Sequence, residues 1–237
     1  MSVPTLLIVS DHPPHIGTLG EKPLHASLKQ WYARPGDRLE VAVGDFVIDL
    51  VRDDLLIEIQ TKGFSSFKKK VATLLELGRR VRIVHPIPID KRIVKIDRDG
   101  AELSRRLSPK HGRPSDVFSE LVSIPDLLSH SHLEIDVLLI IEEEHRVHTP
   151  GQAWRRHGWT IAERRLTEVV GSLFIGERDD LTRLVPEGLP ETFTTADLAE
   201  ALKRPRRAAQ QMAYCLRKVG VFVAIGKTGN NVEYRLG

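Results

Sequence analysis

The sequence predicts a mixed α/β fold. Segments with helical spacing alternate with short strands over the first hundred or so residues, residues 133–141 alternate apolar side chains along the strongest strand signal, and residues 194–237 read as two helices followed by a hairpin. Residues 21–32 place Leu24, Leu28, Trp31 and Tyr32 at helical spacing, bracketed by Gly20 and by Pro35 and Gly36. Residues 38–43 alternate as a strand. Residues 45–52 and 55–61 supply two more, separated by the turn-forming Arg52, Asp53 and Asp54. A helix follows from about Ser66, with Phe67, Val71, Leu74 and Leu75 on one face, Ser65 or Ser66 as its cap and Gly78 as its stop. Residues 80–85 form the next strand, ended by Pro86 and Pro88. The order is helix, three strands, helix, strand.

Beyond this core, residues 91–103 read as a strand pair turning at Asp97, Arg98, Asp99 and Gly100. Residues 104–114 are basic and rich in breakers, an expected exposed loop that offers Lys110 and Arg113 to phosphate. Residues 115–122 suit a helix capped by Ser115. Leu133, Ile135, Val137, Leu139 and Ile141 alternate into a core, and the consecutive acids Glu142, Glu143 and Glu144 are expected at a solvated strand end. Trp154, Arg155, Arg156, His157 and Trp159 have the basic and aromatic mixture that stacks on nucleic acid. The same stretch equally suits the packed entry to a helix from Ile161, boxed by Thr160 and Glu163.

At the C-terminal end, Thr194 and Asp197 form a capping pair for a short helix that Lys203, Arg204 and Pro205 break. Residues 206–219 form a longer helix with Ala209, Met212, Ala213, Leu216 and Val219 on its apolar face, and residues 221–225 and 232–236 form a hairpin. Two helices and a hairpin predict a winged helix. Residues 192–237 hold eight Lys and Arg against three Asp and Glu, a surplus larger than the +3 of the whole chain. Arg206, Arg207, Gln210, Gln211 and Arg217 fall away from the apolar face, where a recognition helix meets a major groove, and Lys227 at the wing tip is placed for phosphate.

With 237 residues, 41% of them hydrophobic, the chain suffices for one sizeable core or two domains. The expected division is 1–95 as the first domain, 96–150 as a connecting α+β subdomain, and 151–237 as a helical linker with the winged helix. Cys215 is the one cysteine, which excludes an intrachain disulfide and fits a reducing compartment. The apolar piece at 6–9 is too short for a signal peptide, and no segment approaches the length of a membrane span. A soluble, cytoplasmic protein is expected.

The run 49–62 carries the chemistry. Asp49 closes an apolar segment, and Glu58, Gln60 and Lys62 share one parity on the next, with Ile57 and Ile59 turned to the core. Carboxylates among apolar strand residues need compensation for lost hydration, and a divalent cation held by oxygen ligands is one form of it. A hairpin whose polar face is solvated is the ordinary alternative.

This order of elements, with an acid ending the second strand and Glu-X-Gln-X-Lys on the third, resembles the PD-(D/E)XK nuclease superfamily over roughly residues 15–90. That superfamily includes type II restriction enzymes and Holliday-junction resolvases. The resemblance implies a restriction-endonuclease-like core and hydrolysis of DNA phosphodiesters with Mg²⁺, or Mn²⁺ in its place. Asp49 and Glu58 match the two acids that hold the metal. Gln60 falls where the family usually has Lys, and Lys62, one step further along the same face, is the expected replacement. Glu21 falls where some resolvase-like members carry an additional acid, with His25 and Lys29 following at one-turn intervals. Helix stabilisation by a first-turn acid accounts for Glu21 equally well. DNA is the implied partner, and a homodimer or a repair or defence complex is compatible with the pattern. Gln60 also fits a catalytically inactive DNA-binding regulator that keeps the nuclease fold.

Overall fold

The computed structural model describes residues 22–237. The architecture is mixed α/β, built on a large mixed sheet with helices on both faces. Helix α1 (Pro23–Tyr32) opens with proline in its first turn, where a missing N–H is no loss because that group has no intrahelical partner. Leu24, Leu28 and Tyr32 are buried, but Trp31 is 52% exposed, so the apolar stripe is narrower than its spacing predicts. The predicted helix start at Glu21 lies outside the described residues.

Strands β1 (Arg38–Val43), β2 (Phe46–Arg52) and β3 (Leu55–Ile59) form an antiparallel meander. Its turns use Gly44 and Asp53 at φ +57 and +51, values that Gly reaches freely and Asp tolerates. A 3₁₀ turn (Phe64–Ser66) and α2 (Lys68–Glu76) then lead to β4 (Arg80–Ile96), parallel to β3. The expected serine cap of α2 is absent, since Phe67 precedes the helix and the Ser66 hydroxyl donates to the Gly63 carbonyl instead. Val71, Leu74 and Leu75 are buried as their spacing predicts, each worth about 1.5–3 kcal/mol.

Strand β4 does not stop at its prolines. Its pairing with β3 ends at Val84, and its pairing with β5 (Glu102–Leu107) begins at Arg92. Pro86 and Pro88 fall in the interval where β4 has a strand neighbour on one side only, so their missing N–H groups break no ladder there. The β4–β5 turn at Asp97 forms as predicted, with the Asp97 carboxylate accepting from the Asp99 and Ala101 amides. β5, however, runs into the segment expected as loop. A 3₁₀ turn (Pro114–Val117) precedes α3 (Phe118–Leu121), and its N-cap is Arg113, whose amide donates to the Asp116 carboxylate, rather than Ser115.

Strand β6 (Leu133–His148) lies parallel to β4, and β7 (Trp159–Ile175) runs antiparallel to β6. The helix expected from Ile161 is therefore a strand. The local helix signal loses to the unpaired edge of β6, whose backbone groups need a partner, and three register shifts accommodate the fit. The sheet order is β1, β2, β3, β4, β6, β7, with β5 beside the far half of β4.

One face of the sheet packs Leu50, Ile57, Ile59, Val84 and Leu138 against α1. The other packs Ile48, Leu56, Val81 and Ile83 beneath α2 and α3, and its core runs on without a break into the C-terminal segment. That segment comprises α4 (Arg178–Thr182), α5 (Thr195–Leu202), α6 (Arg206–Lys218), β8 (Phe222–Thr228) and β9 (Asn231–Leu236). The predicted cap of α5 is present, with the Thr194 hydroxyl accepting from the Ala196 amide and Asp197 accepting from the Thr194 amide. Phe193 adds an isolated bridge to Tyr234 of β9.

Polar ties reinforce the shared core. Arg113 donates to the Leu202 carbonyl at 2.7 Å, Arg204 meets Asp116 at 2.6 Å, and Lys218 meets Asp126 at 2.9 Å. No helix among the described residues is long and apolar enough to cross a membrane.

Candidate active site

The end of β3 opens into a cleft of about 410 Å³ that brings Asp49, Glu58, Gln60 and Lys62 together with His25 and Lys70. Asp49 sits within β2 rather than at its end. Its Oδ2 accepts from the Ile59 amide at 2.8 Å and lies 3.3 Å from His25 Nε2 of α1. Burial opposes the charge on Asp49, but these two contacts, with Lys29 near by, outweigh it and hold the carboxyl below its ordinary range.

Glu58 belongs to a strand buried on both faces. Its side chain turns toward α2, where Lys70 Nζ lies 2.5 Å from Oε1 and also donates to the Val47 carbonyl at 2.6 Å. The contact is a close ion pair whose angles leave Oε1 without a well-formed hydrogen bond. Burial is the dominant influence on Glu58 and, with the neighbouring Asp49 charge, pushes its pKa up to about 7 against the opposing pull of Lys70. The two acids therefore respond oppositely to one cleft. Asp49 is held ionised, whereas Glu58 is poised near neutrality.

Gln60 and Lys62 lie beyond the last residue of β3, so the single strand face expected to carry positions 58, 60 and 62 ends at Glu58. The Gln60 amide N–H donates to the Val84 carbonyl, its side-chain amide donates to the Gly63 carbonyl, and its carbonyl accepts from His85 Nδ1 at 2.7 Å. That bond places the ring proton on Nδ1, and burial lowers the His85 pKa, so this histidine is a neutral brace behind the cleft. Lys62 is exposed at the rim beside Lys22, whose like charge lowers its pKa. Its rim joins a second cavity walled by Ile161, Ala162 and Arg164 of β7.

Lys70 is the member of the site that the strand motif alone does not reveal. It stands three residues after Phe67 and four before Leu74, so the helical period that buries those two also carries Lys70 to the sheet. Glu21 lies outside the described residues. Among the described residues, no group of three or more His, Cys, Asp or Glu side chains is arranged to hold a metal ion. The donor set that is present is two carboxylates, the number with which Mg²⁺ is commonly held alongside several waters, and Glu58 Oε1 already lies against Lys70.

The acids at the end of the predicted core of β6 differ from expectation. Glu142 and Glu144, two residues apart, share a face and are only 1% and 3% exposed. Lys91 bridges them at 2.8 and 3.3 Å, Arg146 meets Glu144 at 2.6 Å, and Arg164 of β7 lies within 3.6 Å of both. Burial works against the charge on Glu144, yet its three cations hold its pKa below the ordinary value. This is a compensated ionic core rather than a solvated strand end.

On α6, Arg206, Gln210 and Arg217 line a groove of about 280 Å³ with Tyr214 and Asn230, and the Arg206 guanidinium bonds Asn231. Arg207 and Gln211 lie outside that groove. Lys227 is exposed but sits within β8, opposite Val232, rather than at the hairpin tip.

A family model described as a domain of unknown function, DUF8091, matches residues 22–175. The chain belongs to that family. The DUF8091 region runs from the residue before α1 to the last residue of β7, so it takes in the whole large sheet and both acids of the cleft. An "Uncharacterized protein" from Treponema pallidum (strain Nichols) is 31% identical over 186 residues, covering 78% of this chain and 74% of its own. No solved structure matches the chain.

Proposed function

We propose that the cleft at the end of β3 is a metal-dependent centre that hydrolyses DNA phosphodiester bonds on a restriction-endonuclease-like core. The observation that carries this reading is the convergence of Asp49 and Glu58, from two adjacent strands, on one open cleft with a lysine against the second acid. The resemblance of the 49–62 run to PD-(D/E)XK nucleases supports it. Asp49 and Glu58 are the residues that would hold Mg²⁺ or Mn²⁺. Bound there, such an ion lowers the pKa of a coordinated water and stabilises charge on a phosphate.

The protein's own groups supply the rest. Lys70, rather than Lys62, is the fixed positive charge nearest the acids, and it balances Glu58 as that group loses its proton. His25 and the Ile59 amide orient Asp49. Gln60, locked between Val84 and His85, orders the cleft wall, and Lys62 with Lys22 offers rim charge to phosphate. The C-terminal segment is read as a winged helix, with Arg206, Gln210 and Arg217 facing DNA and Arg207, Gln211 and Lys227 on its flanks.

The test is plasmid nicking in Mg²⁺ and in Mn²⁺ by the wild-type chain and by Asp49→Asn. Loss of nicking with duplex binding retained supports the reading, and equal nicking by the variant removes Asp49 from the site. One observation favours a second reading, a non-catalytic DNA-binding regulator. Gln60 stands where PD-(D/E)XK nucleases usually have Lys, and both carboxylates already have cationic or imidazole neighbours at 2.5 and 3.3 Å. That reading predicts salt-sensitive binding without cleavage in either metal.

A further inference from the structure

The β6–β7 hairpin ends in a loop that the cleft does not use. Trp154 at this tip is 79% exposed, more than any other large apolar side chain among the described residues. The Arg155 guanidinium lies 5.1 Å from the centre of its ring and covers one face. From Arg146 to Ala162 the sequence contains no Asp or Glu, so Arg155, Arg156 and His157 follow Trp154 in a stretch without acidic residues.

The presentation is built into the backbone. Trp154, Arg155 and Arg156 form a 3₁₀ turn flanked by Ala153 and His157, both in the left-handed region at φ +48 and +51. Such conformations disfavour residues with a Cβ, and they persist only where surrounding bonds enforce them. Here the Thr149 amide donates to the Gly158 carbonyl at 2.7 Å, the Arg156 amide donates to the Ala153 carbonyl at 2.7 Å, and the Thr149 and Thr160 hydroxyls are bonded at 2.8 Å. Gly158 at φ +83 passes so close to His148 that a Cβ there would come within 2.6 Å of Nε2. The loop is a closed frame that holds an indole in solvent.

We infer that this tip is a single-strand contact, in which Trp154 stacks on an unpaired nucleobase while Arg155 and Arg156 take the flanking phosphates. An indole with one face on a guanidinium keeps the other face for a base, and stacking of this kind is indifferent to sequence. A membrane-inserting tip groups several apolar side chains, whereas Trp154 has Gln152, Ala153, Arg155 and Arg156 beside it. The position suits a nucleic-acid substrate. Ile161 of the same strand walls the cavity that shares Lys22, Thr61 and Lys62 with the acidic cleft, and Trp159 lies about 7 Å further along β7 toward the tip. The inference rests on the nucleic-acid reading of the substrate but not on cleavage.

The experiment uses the full chain in a chelating buffer with a short, labelled oligothymidylate, reading anisotropy for affinity and tryptophan emission for stacking. Wild-type emission is expected to be quenched on binding. Trp154→Ala should lose about tenfold in affinity, and Trp154→Phe should keep the affinity while losing the quench. The ring makes little packing contact, so neither variant threatens the fold. Wild-type affinity in Trp154→Ala, an unquenched wild type, or an emission shift with phosphatidylglycerol vesicles in place of the oligonucleotide would overturn the proposal. Absent metal-dependent nicking with this stacking intact would defeat the hydrolase reading alone.

Discussion

Two pairs of buried acids occupy this sheet, and they differ in how fully their charge is answered. Glu142 and Glu144 are met by Lys91, Arg146 and Arg164, and Glu144 is held ionised. Asp49 and Glu58 are met by His25 and Lys70, and Glu58 is pushed up to about 7. The first set is an ionic network at the junction of β4, β6 and β7, although Glu142 Oε1, like Glu58 Oε1, lacks a well-formed hydrogen bond. The second lies in a cleft open to solvent, where Glu58 keeps a raised pKa despite Lys70 and an additional cation can reach its acids. Burial of acids therefore does not mark a site by itself. Access from the cleft and the direction of the pKa shift distinguish the two.

The comparison breaks first at Glu144. Glu144→Ala would leave Lys91 and Arg164 to Glu142 alone and take from Arg146 its carboxylate, and we expect a loss of about 3 kcal/mol in urea unfolding, at the lower end for a broken buried pair because the cations still reach solvent. A change under about 1 kcal/mol would show that the network is not structural.

Glu58 should behave in the opposite sense. Its folded pKa lies above the ordinary carboxylate value, so its contribution to stability is complete below about pH 4.5 and is lost as pH rises through about 7. The wild type should lose about 2 kcal/mol relative to Glu58→Gln between pH 5 and pH 8, with the shift discounted for the openness of the cleft. Parallel stability curves for the two proteins would show that Glu58 is adequately compensated. Because protons and Mg²⁺ compete for the same oxygens, magnesium protection against unfolding should strengthen across the same pH interval.

The two lysines sharpen the comparison within the cleft. In the nicking assay Lys70→Ala should lower turnover about 100-fold, the scale of one lost charge-stabilising group, whereas Lys62→Ala should cost only a few-fold. The reverse ranking would restore the strand motif's own choice of lysine.

Much of this was legible in the residues. The meander, the α2 stripe and the start of β4 followed from alternation and helical spacing, and the two acids of the cleft from carboxylates set among apolar strand residues. What escaped depended on partners distant in sequence. The capping box of Thr160 and Glu163 is a local helix signal from Ile161, and the segment becomes a strand because β6 offers an edge. Pro86 and Pro88 lie inside β4 because one of its sides is unpaired at that point. Lys70 reaches Glu58 from another element, and Glu142 is buried by Lys91 and Arg164 from strands on either side. No pattern along a single segment contains these facts.

The ties between Arg113 and Leu202, Arg204 and Asp116, and Lys218 and Asp126, laid over a core without a seam, leave the basic groove of α6 no freedom to swing against the large sheet. Any polymer that touches both the groove and the acidic cleft meets them at an invariant offset. The molecule has the mechanical character of a ruler rather than a tethered pair of hands.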